Sequence, residues 1–523
     1  MSTPKIKRRW PWIIVAAFAA YLLLLLLLVS VESTNPDASI QTFADALWYS
    51  LVTLSTVGYG DLYPTTGFGR ILGILFVLMS TGLLTFLIGA VATVLFSRII
   101  PGLRIWLRRD KNWYVFPILS PEAAALAQNL LNEDPQSIVL FPDQDHSLPA
   151  EDDRCILYTG NLAQLLRQKS KITGKCSLFY LGEDGHRNEN DARQALQFGY
   201  DVYCQCESEP DSLPGKLHLF NSFPCCARLY WKRYPAKPED CVILIGSGKH
   251  AQALLESGLQ VNIRHPKQGI AYHVFGDWSN FRRNHPRLGT AVSINDADAI
   301  GDRICFHEEP WNESEALLMQ AERIVLCDDE EAENLEIFRQ LHHSFPVPGA
   351  VHIRADRQMC DGTVFGTKEQ LFTPELVMGQ QLNRTAIIMN EIYRRSTGNT
   401  APGWEELSEF LRQSNIAAAD HLLTKIRLLL QDDSVSEITP QVCAQAYAVY
   451  QQQKPEKATI FREIEHLRWV RFHVLHNWRY APVRNNRRRE HTMIIPFENL
   501  SHTEQIKDDF AWEILADLAK EPE

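Results

Sequence analysis

Two long apolar runs stand at the start of the chain and differ from everything that follows them. Residues 13–31 read IIVAAFAAYLLLLLLLVSV without a charge, and the only charge in residues 71–100 is Arg98. A bilayer core of about 30 Å needs about 20 helical residues, and both runs reach that length. A secretory signal peptide has an apolar core of only about 7–15 residues, followed by a cleavage site with small residues. The first run is longer than that, and the sequence at its end, VSVESTN, is a poor match to such a cleavage site. The pattern therefore predicts two membrane-spanning helices.

A shorter apolar segment lies between the two runs and leads into a glycine-containing stretch. Phe43 to Leu54 (FADALWYSLVTL) has helical spacing but is too short to span, and it is followed after Ser55 by Thr56-Val57-Gly58-Tyr59-Gly60-Asp61. Non-helical backbone at membrane depth is tolerated only where it is buried in protein or lines a cavity. The two glycines allow backbone conformations that other residues avoid. The carbonyls from Thr56 to Tyr59 can then point at one axis and replace the hydration shell of a potassium ion.

Basic residues flank the two apolar runs, whereas the segment between them is acidic. The first run follows Lys5, Lys7, Arg8 and Arg9, and the basic residues at and after the end of the second are Arg98, Arg104, Arg108, Arg109 and Lys111. The acidic residues between the runs are Glu32, Asp37, Asp45 and Asp61. By the positive-inside rule this distribution predicts a multi-pass protein of the inner (plasma) membrane, embedded in the lipid bilayer, with both termini in the cytoplasm.

The segment DALWYSLVTLSTVGYGDLYPTTGFGR, residues 45–70, resembles the pore of the potassium-channel family. The resemblance implies a selectivity filter that binds potassium ions at Thr56, Val57, Gly58 and Tyr59. It also implies that Trp48 and Tyr49 brace the filter and that Asp61 lies at its outer mouth. The expected fold of residues 1–111 is thus an α-helical pore domain with two transmembrane helices.

The same resemblance carries an expectation about assembly and gating. A filter is built from four loops, and the chain has one, so a homotetramer is expected. Gly82 and Gly89 in the second run are candidate hinges of an inner gate. Packing against small residues of a neighbouring helix is the alternative explanation for both glycines.

Behind the pore segment, short apolar runs alternate with helical patterns. Runs such as WYVFPIL, SIVLF and CSLFYLG are separated by stretches such as PEAAALAQNLL, and the alternation starts again at Cys241 with VILIGSG and HAQALLESG. Such alternation predicts parallel sheets with crossover helices. We therefore expect two doubly wound α/β domains, at residues 112–236 and 237–398, and a fourth unit at residues 399–523.

The order of helix pair, pore loop and two α/β units resembles potassium channels with tandem regulator-of-conductance (RCK, TrkA-N-like) domains, which are Rossmann-like. The resemblance spans about Asn112 to Arg395 and includes Gly182-Glu183-Asp184 before Asn188 and Asn190, and Asp328-Asp329 before Asn334. The first copy is degenerate. Its turn, Leu119-Ser120-Pro121-Glu122, lacks the glycines that a dinucleotide pyrophosphate needs for close approach, so a structural domain without nucleotide is expected there.

The second copy carries a candidate nucleotide turn. Ile245 leads into Gly246-Ser247-Gly248-Lys249-His250-Ala251, a GxGxxA pattern whose helix N-terminal amides attract an anion. The acid expected about 20 residues further on for a nicotinamide dinucleotide is missing from Ile263-Arg264-His265, and Asp277 is the first acid. Three outcomes stay open: a nucleotide bound with help from Asp277 and Asp328, a phosphorylated ribose held by Arg264, or a purely structural turn.

The C-terminal unit resembles the RyR domain, named from ryanodine receptors and mainly α-helical, over about Gly403 to Ala519. The resemblance rests on the helix SNIAAADHLLTK, on EHLRW and on WRYAPVR, in which Ala481 replaces the family's usual glycine. An aromatic wall that stacks on a planar base would comprise Trp469, Trp478 and Tyr480, with phosphate contacts from Arg468, Arg479 and Arg484. The alternative is that the tryptophans belong to the core and the arginines to a solvated edge. His466 is expected to be a hydrogen-bonded structural histidine.

Composition narrows the functional classes. The formal net charge is −11, and residues 112–523 alone carry 42 basic and 58 acidic residues, which argues against nucleic-acid binding. All 11 cysteines lie between Cys155 and Cys443 without a Cys-x2-Cys pair, as expected for reduced cytosolic thiols. No nucleophile–base pair, metal set or hydride-acceptor site is recognisable, so an enzyme is not expected.

Taken together, these features predict a potassium channel gated by a small anionic cytosolic ligand. The ligand is expected to be a nucleotide or a nucleotide-derived signal sensed by the second α/β domain or the RyR-like module. Two alternatives remain. A membrane-anchored nucleotide-processing enzyme would use the GSGKHA turn, and a potassium-uptake subunit would need several pore loops in one chain, where this chain has one.

Overall fold

The computed structural model describes residues 10–95, 99–143, 152–168, 171–207, 215–296, 299–358 and 362–521. The chain divides into two compact units, Met1–Leu107 and Arg108–Glu523. The basic residues Lys5, Lys7, Arg8, Arg9 and Arg98, on which the predicted orientation partly rests, lie outside the described ranges.

The N-terminal unit is helical. Its helices are α1 (Trp10–Glu32), α2 (Phe43–Leu54), α3 (Gly67–Val94) and α4 (Ile100–Leu107). Thr42 begins α2 with a capping box, since its hydroxyl accepts from the Asp45 amide and the Asp45 carboxylate accepts from the Thr42 amide. Thr66 caps α3 by accepting from the Gly69 amide at 2.9 Å. These caps fix the first turn of each helix, and the loop at residues 55–66 lies between the end of α2 and the cap of α3.

The helices of this unit pack through one small apolar cluster, which comprises Leu25, Leu28, Ile40, Ala46, Leu72 and Phe76. Within the described ranges, no helix combines the length and the hydropathy that a membrane crossing requires. The spans at residues 13–31 and 71–100 stay a prediction from the sequence.

The second unit begins with a sheet of six parallel strands. The strands are β1 (Asn112–Val115), β2 (Ser137–Pro142), β3 (Cys155–Tyr158), β4 (Cys176–Tyr180), β5 (Asp201–Gln205) and β6 (Leu217–Phe220), in the order β3-β2-β1-β4-β5-β6. The associated helices are α5 (Pro121–Glu133), α6 (Leu162–Arg167), α7 (Gly185–Ala195) and α8 (Ser222–Arg233). The strand order reverses between β1 and β4, as in doubly wound folds.

The second sheet has seven parallel strands. They are β7 (Cys241–Ile245), β8 (Ala271–Phe275), β9 (Ser293–Ile294), β10 (Arg303–His307), β11 (Arg323–Leu326), β12 (Ala350–Arg354) and β13 (Thr363–Phe365), in the order β13-β12-β11-β7-β8-β10-β9. The helices are α9 (Lys249–Val261), α10 (Ser279–Asn284), α11 (Glu315–Leu318), α12 (Glu331–Ser344), α13 (Lys368–Leu371), α14 (Pro374–Val377) and α15 (Arg384–Ser396). The order reverses between β7 and β11. The prediction of two doubly wound parallel sheets is confirmed.

The two sheets share one hydrophobic core through α8 and α9. Trp231 on α8 is buried, and its indole Nε1 donates to the Leu254 carbonyl on α9 at 2.8 Å. Gly258 on α9 permits this approach, because a Cβ there would lie 2.9 Å from the Trp231 ring. The two α/β domains therefore form one packed body.

The C-terminal part is mainly helical, as predicted. It comprises α16 (Glu409–Leu430), α17 (Pro440–Gln451), α18 (Pro455–Leu475), α19 (His502–Lys507) and α20 (Phe510–Leu518), with the short pair β14 (Arg479–Tyr480) and β15 (Glu490–His491). Its core includes Leu422, Ile426, Ile464, Trp512 and Leu515. The Trp512 indole donates to the Phe461 carbonyl at 3.0 Å and joins α20 to α18.

Candidate functional site

The glycine-containing loop after α2 has an alternating backbone. Thr56, Gly58 and Gly60 have φ values of +59°, +60° and +74°, whereas Val57 and Tyr59 between them have negative φ. Alternation of this kind turns successive carbonyl groups toward one side of the chain, which is the arrangement a carbonyl-lined filter needs. The amides of Val57 and Gly58 both donate to the Val52 carbonyl, at 3.1 and 3.3 Å, and anchor the loop to α2.

Aromatic and acidic side chains fix the outer part of this loop. The Trp48 indole Nε1 donates to Asp61 Oδ2 at 3.0 Å, and its ring lies parallel to that of Tyr59, 6.3 Å away. Trp48, Tyr59 and Asp61 are thus brought together as one group. Tyr49 instead meets Phe76 of α3 edge-on at 6.5 Å, so it braces α2 against α3.

A buried carboxylate supports the loop from the other end. Glu32, the last residue of α1, is 0% exposed and accepts four hydrogen bonds from Thr65 and Thr66. The Thr65 amide and hydroxyl both donate at 2.8 Å, and the Thr66 amide and hydroxyl donate at 3.0 and 2.6 Å. From the sequence, Glu32 counts only as a charge on the outer side. The available signal is an acid that ends one apolar run and a Thr-Thr pair that begins the other.

The two hinge candidates lie inside α3, which is continuous from Gly67 to Val94. A Cβ at Gly82 or at Gly89 would have no atom within 4 Å among the described residues of the chain. Packing within one chain therefore does not account for either glycine. Bending at these positions stays a prediction.

The GxGxxA turn follows β7 at the point where the second sheet reverses its strand order. Gly246 has a φ of +126°, and a Cβ there would lie 2.6 Å from the Asp328 amide nitrogen. A Cβ at Gly248 would lie 2.4 Å from the carboxylate carbon of Asp329. Both glycines thus make room for the residues that follow β11.

Asp329 occupies the N-terminus of α9. Its Oδ2 accepts from the Lys249 amide at 2.8 Å, and its Oδ1 accepts from the His250 amide at 3.0 Å and lies 2.9 Å from His250 Nδ1. Burial raises the pKa of Asp329, but the hydrogen bonds from His250 and Lys249 outweigh it and bring the pKa to about 2. The anion site at this helix N-terminus therefore holds a carboxylate of the chain itself. A phosphate bound at the turn would have to displace it.

The other candidate residues of the turn have defined partners. Asp328 Oδ1 accepts from the Glu330 amide at 3.0 Å, and Lys249 Nζ lies 2.5 Å from Glu207 Oε1. The Ser247 carbonyl accepts from Gln252. These contacts keep Ser247, Lys249 and Asp328 beside Gly246, Gly248 and His250, so the structure brings the predicted set together.

The segment Ile263-Arg264-His265, where the acid of a nicotinamide dinucleotide site is missing, precedes the next strand of the sheet. The neighbour of β7 is β8, Ala271–Phe275, so Asp277 lies two residues beyond the strand that ends beside the turn. Its carboxylate is exposed and accepts from the Ser279 amide at 3.0 Å. Arg264, the candidate for a phosphorylated ribose, is paired with Asp433 at 2.6 Å. A longer connection after α9 explains the unusual spacing to Asp277.

The corresponding turn of the first α/β domain is held by its own side chains. Ser120 caps α5 by accepting from the Ala123 amide at 3.0 Å, and the buried Glu122 pairs with Lys368 at 2.9 Å. In both domains an asparagine side chain also fixes the backbone that follows the strand next to the reversal point. Asn188 bonds to both backbone groups of Gly182, and Asn334 bonds to both backbone groups of Asp328.

The aromatic–arginine cluster of the C-terminal unit divides into two parts. Trp478 is 6% exposed and stacks on Phe410 at 5.2 Å, as the core alternative predicts for it. Arg468 is 3% exposed, so the prediction of a solvated arginine is wrong at this position. Tyr480 is 54% exposed. The exposed part comprises Arg479, Tyr480 and Arg484, with Trp469 half-buried behind His473 and His491.

His466 has the structural role expected of it. Its Nε2 lies 2.8 Å from the Ile495 carbonyl. Among the described residues, no group of three or more histidine, cysteine, aspartate or glutamate side chains is arranged to hold a metal ion. Neither the turn nor the C-terminal cluster offers a metal centre within those ranges.

A buried charge network joins α16 to α18. Lys425 Nζ lies 2.7 Å from Glu465 Oε2, and Arg468 bonds to both oxygens of Glu465 at 2.6–3.1 Å. Burial raises the pKa of Glu465, but the charges of Arg468 and Lys425 outweigh it, and the pKa lies far below its ordinary value. The acid of EHLRW therefore organises the core.

Asp508 lies next to this network with an unpaired oxygen. Its Oδ2 is buried without a hydrogen bond, 3.8 Å from His466 Nδ1. Burial, together with the charge of Glu465, raises the pKa of Asp508 to about 7. An unfolded aspartate has a pKa of about 3.9, so the folded state binds the proton more tightly and loses stability as the pH rises from about 4 to 7.

Replacing Asp508 by asparagine is expected to remove that loss. The neutral amide needs no proton, so the thermal midpoint of the Asp508→Asn chain relative to wild type should rise by the equivalent of about 1–3 kcal/mol between pH 5 and pH 8. The measurement is tryptophan fluorescence of the full chain in detergent. Asp517→Asn, at an exposed position, is the control and should keep the wild-type pH profile. A constant offset between Asp508→Asn and wild type at both pH values would contradict this role.

Comparison with known proteins bears on the N-terminal unit. Residues 12–97 match the model of a family described as ion channel. A voltage-gated potassium channel of Aeropyrum pernix is 40% identical over 90 residues, which are 17% of this chain and 28% of that protein. The calcium-gated potassium channel TvoK of Thermoplasma volcanium is 30% identical over 96 residues, which are 18% of this chain and 26% of that protein. The chain thus spans less than a third of the length of these relatives.

Among solved structures, the GsuK channel aligns with 71% of this chain and 98% of its own, at 12% identity and a TM-score of 0.33. The sequence matches lie where α1, α2, the alternating loop and α3 are found. Both of the relatives found by sequence are potassium channels. Residues 12–97 of the chain therefore match the ion channel family model and are similar in sequence to potassium channels.

Proposed function

We propose that the chain is the subunit of a homotetrameric potassium-selective channel gated by a small anionic cytosolic ligand. The observation that carries the proposal is the alternating backbone at Thr56, Gly58 and Gly60 within the segment that matches the ion channel family. Carbonyl oxygens arranged in this way replace the water around a potassium ion. The loop supplies one quarter of such a ring, so four copies complete the filter.

The apolar exterior of the helices supports a membrane setting and an assembly. Side chains such as Phe68, Ile74, Leu78, Ile88 and Val91 of α3 are exposed in the single chain. Exposed apolar surface of this extent marks a contact with lipid or with another subunit. The proposed setting is the plasma membrane, crossed by the two apolar runs, with both termini in the cytoplasm.

The large second unit supports ligand control rather than simple anchoring. A ligand can gate only if it binds the open and closed states unequally. The residues proposed to sense it are Gly246–His250 with Asp277 and Asp328 in the second RCK-like domain, and Trp469, Arg479, Tyr480 and Arg484 in the RyR-like module. A nucleotide or nucleotide-derived compound has the planar base and the phosphates that these side chains suit.

Purified chain in lipid vesicles tests the channel itself. Potassium efflux down a gradient is expected to exceed sodium efflux by about 100-fold or more, because only the ion that fits the carbonyl rings is stripped of its water without loss. The measurement is a flux assay with a fluorescent indicator for each ion. Equal sodium and potassium fluxes in the intact protein would refute potassium selectivity.

The alternative of a membrane-anchored enzyme makes a different prediction for the same preparation. Turnover of a dinucleotide by the full chain, without ion flux, would favour it. The carboxylate of Asp329 at the N-terminus of α9 would have to be displaced by the phosphates of a dinucleotide substrate as by those of a gating nucleotide, so turnover and ion flux are the measurements that separate the two proposals.

A further inference from the structure

A cavity of about 240 Å³ opens where three parts of the second unit meet. Its walls come from α8 of the first α/β domain, from the start of α15 in the second, and from α16 of the C-terminal module. Ligand sites occur preferentially at such junctions between domains. The cavity is separate from the GxGxxA turn and from the exposed arginines near Tyr480.

The cavity is positively charged in an acidic protein. It is lined by four basic side chains, Arg228, Lys232, Arg384 and Arg427, against two acidic ones, Asp420 and Glu437. The whole chain has a formal net charge of −11. A concave surface of one sign concentrates ligands of the opposite sign, so this cavity selects anions.

One of the two acidic side chains of the cavity, Asp420, is already paired with an arginine. Arg228 Nε and Nη2 donate to the two oxygens of Asp420 at 2.6 and 2.9 Å. Arg228 also donates to Asn383 Oδ1 at 2.8 Å and to the Leu382 carbonyl at 2.6 Å. One guanidinium therefore joins α8 to α16 and to the start of α15, and it forms part of the cavity wall.

The other three basic side chains of the cavity form no ion pair within the described part of the chain. Lys232 and Arg384 are exposed, and neither has an ion-pair partner within the described part of the chain. Arg427 donates to the carbonyls of Val435 and Lys232, both at 2.8 Å. Both of these acceptors are neutral carbonyls, so the charge of Arg427 is not matched by a carboxylate through either bond.

We propose that this cavity binds a phosphate-bearing small molecule no larger than a mononucleotide. Lys232 and Arg384 contact the phosphate, while Arg228 and Arg427 form the wall behind it. The size limit follows from the volume, which is below the 300–1,000 Å³ typical of sites for larger ligands. A role of this site in gating rests on the proposed function. A ligand held beside Arg228 can favour one arrangement of α8, α15 and α16 over another, because Arg228 joins these three helices.

The test is isothermal titration calorimetry on the full chain in detergent, with inorganic phosphate and AMP as probes. Wild type is expected to bind at least one of them. Because the double variant Lys232→Glu/Arg384→Glu replaces two cations that would donate charge-assisted hydrogen bonds to the phosphate, it should bind at least about 10-fold more weakly. The control is Lys457→Glu, which reverses the charge of one exposed lysine on α18. It should bind the probes like wild type.

Each outcome decides the proposal. Binding of phosphate alone supports a small phosphate ester, and binding of AMP supports a mononucleotide, provided that the double variant weakens it. Wild-type affinity in the double variant, or no binding of either probe to wild type, overturns the cavity as a site. Vesicle flux on the same preparation separates the two proposals. Potassium flux without binding refutes only the cavity, and binding without potassium flux, measured both with and without the bound probe, refutes only the channel.

Discussion

Replacing Gly58 by alanine is expected to abolish the preference for potassium over sodium. Gly58 has a φ of +60°, and an L residue in this region loses about 1–2 kcal/mol. Four subunits contribute to one filter, so the strain sums to about 4–8 kcal/mol per tetramer. The backbone can relieve it only by turning the peptide away from the axis, which removes carbonyl oxygens from the ion path. The expected result is a fall of the potassium-to-sodium flux ratio in vesicles to near one.

Gly67→Ala is the matched control for this change. Gly67 is the first residue of α3, has no positive φ, and a Cβ there would meet nothing within 4 Å in the described chain. The control should keep the wild-type flux ratio. A Gly58→Ala channel with that same ratio would show that the carbonyl alternation does not set selectivity.

Thr56 shows that the loop tolerates strain where its surroundings hold it. It is a β-branched residue with a φ of +59°, a conformation that such residues rarely adopt. The Val57 amide that follows it is tied to α2 through Val52, and the start of α3 is tied to α1 through Glu32. Backbone strain at a functional site persists only when the rest of the structure fixes it.

Patterns local in sequence were sufficient for the pore loop and for the two doubly wound sheets. The filter motif spans six adjacent residues, and strand–helix alternation has a period that can be read directly along the chain. The helix caps at Thr42, Thr66 and Ser120 also depend only on local sequence, because each capping side chain and the amide that donates to it lie three residues apart.

The side chains that decide the sites depend on partners far away in sequence. Asp329 reaches the Lys249 amide across 80 residues, Glu32 reaches Thr65 across 33, and Lys425 reaches Glu465 across 40. No periodicity in one segment indicates which distant amide or ammonium a carboxylate will meet. The same reason explains why Trp478 and Arg468 were predicted as ligand contacts although both are buried. Their residue types suggested a ligand, but their burial depends on packing against residues of α16 that lie far away in the sequence.

Replacing Glu465 by alanine is expected to open the C-terminal module. The substitution leaves Lys425 and Arg468 buried without their shared counter-ion, and breaking a buried ion pair from one side costs about 3–5 kcal/mol. Hydrogen–deuterium exchange of the full chain, read by mass spectrometry over α16 and α18, measures that cost locally. Protection in these helices should fall by about 150- to 4,000-fold, with the two sheets retaining wild-type protection.

Glu504→Ala provides the comparison, since Glu504 and Lys507 form a pair that is largely exposed. Such surface pairs contribute about 0–1 kcal/mol, so protection should change by less than about fivefold. Equal losses in the two variants would contradict a specific role for the buried network.

The pH dependence of the Glu465→Ala effect follows from the direction of the Glu465 pKa. The folded-state pKa is depressed by Arg468 and Lys425, so the stabilisation is fully present above the unfolded value of about 4.3 and is lost as the pH falls below it. The charge of Glu465 also raises the pKa of its neighbour Asp508, so the comparison is made in the Asp508→Asn background. There the difference in thermal midpoint between the chains with and without Glu465→Ala should be constant from pH 6 to pH 8 and shrink below about pH 4. A difference that grows on acidification would mean that Glu465 is held in its protonated form. In that case Lys425 and Arg468 could not be its counter-ions.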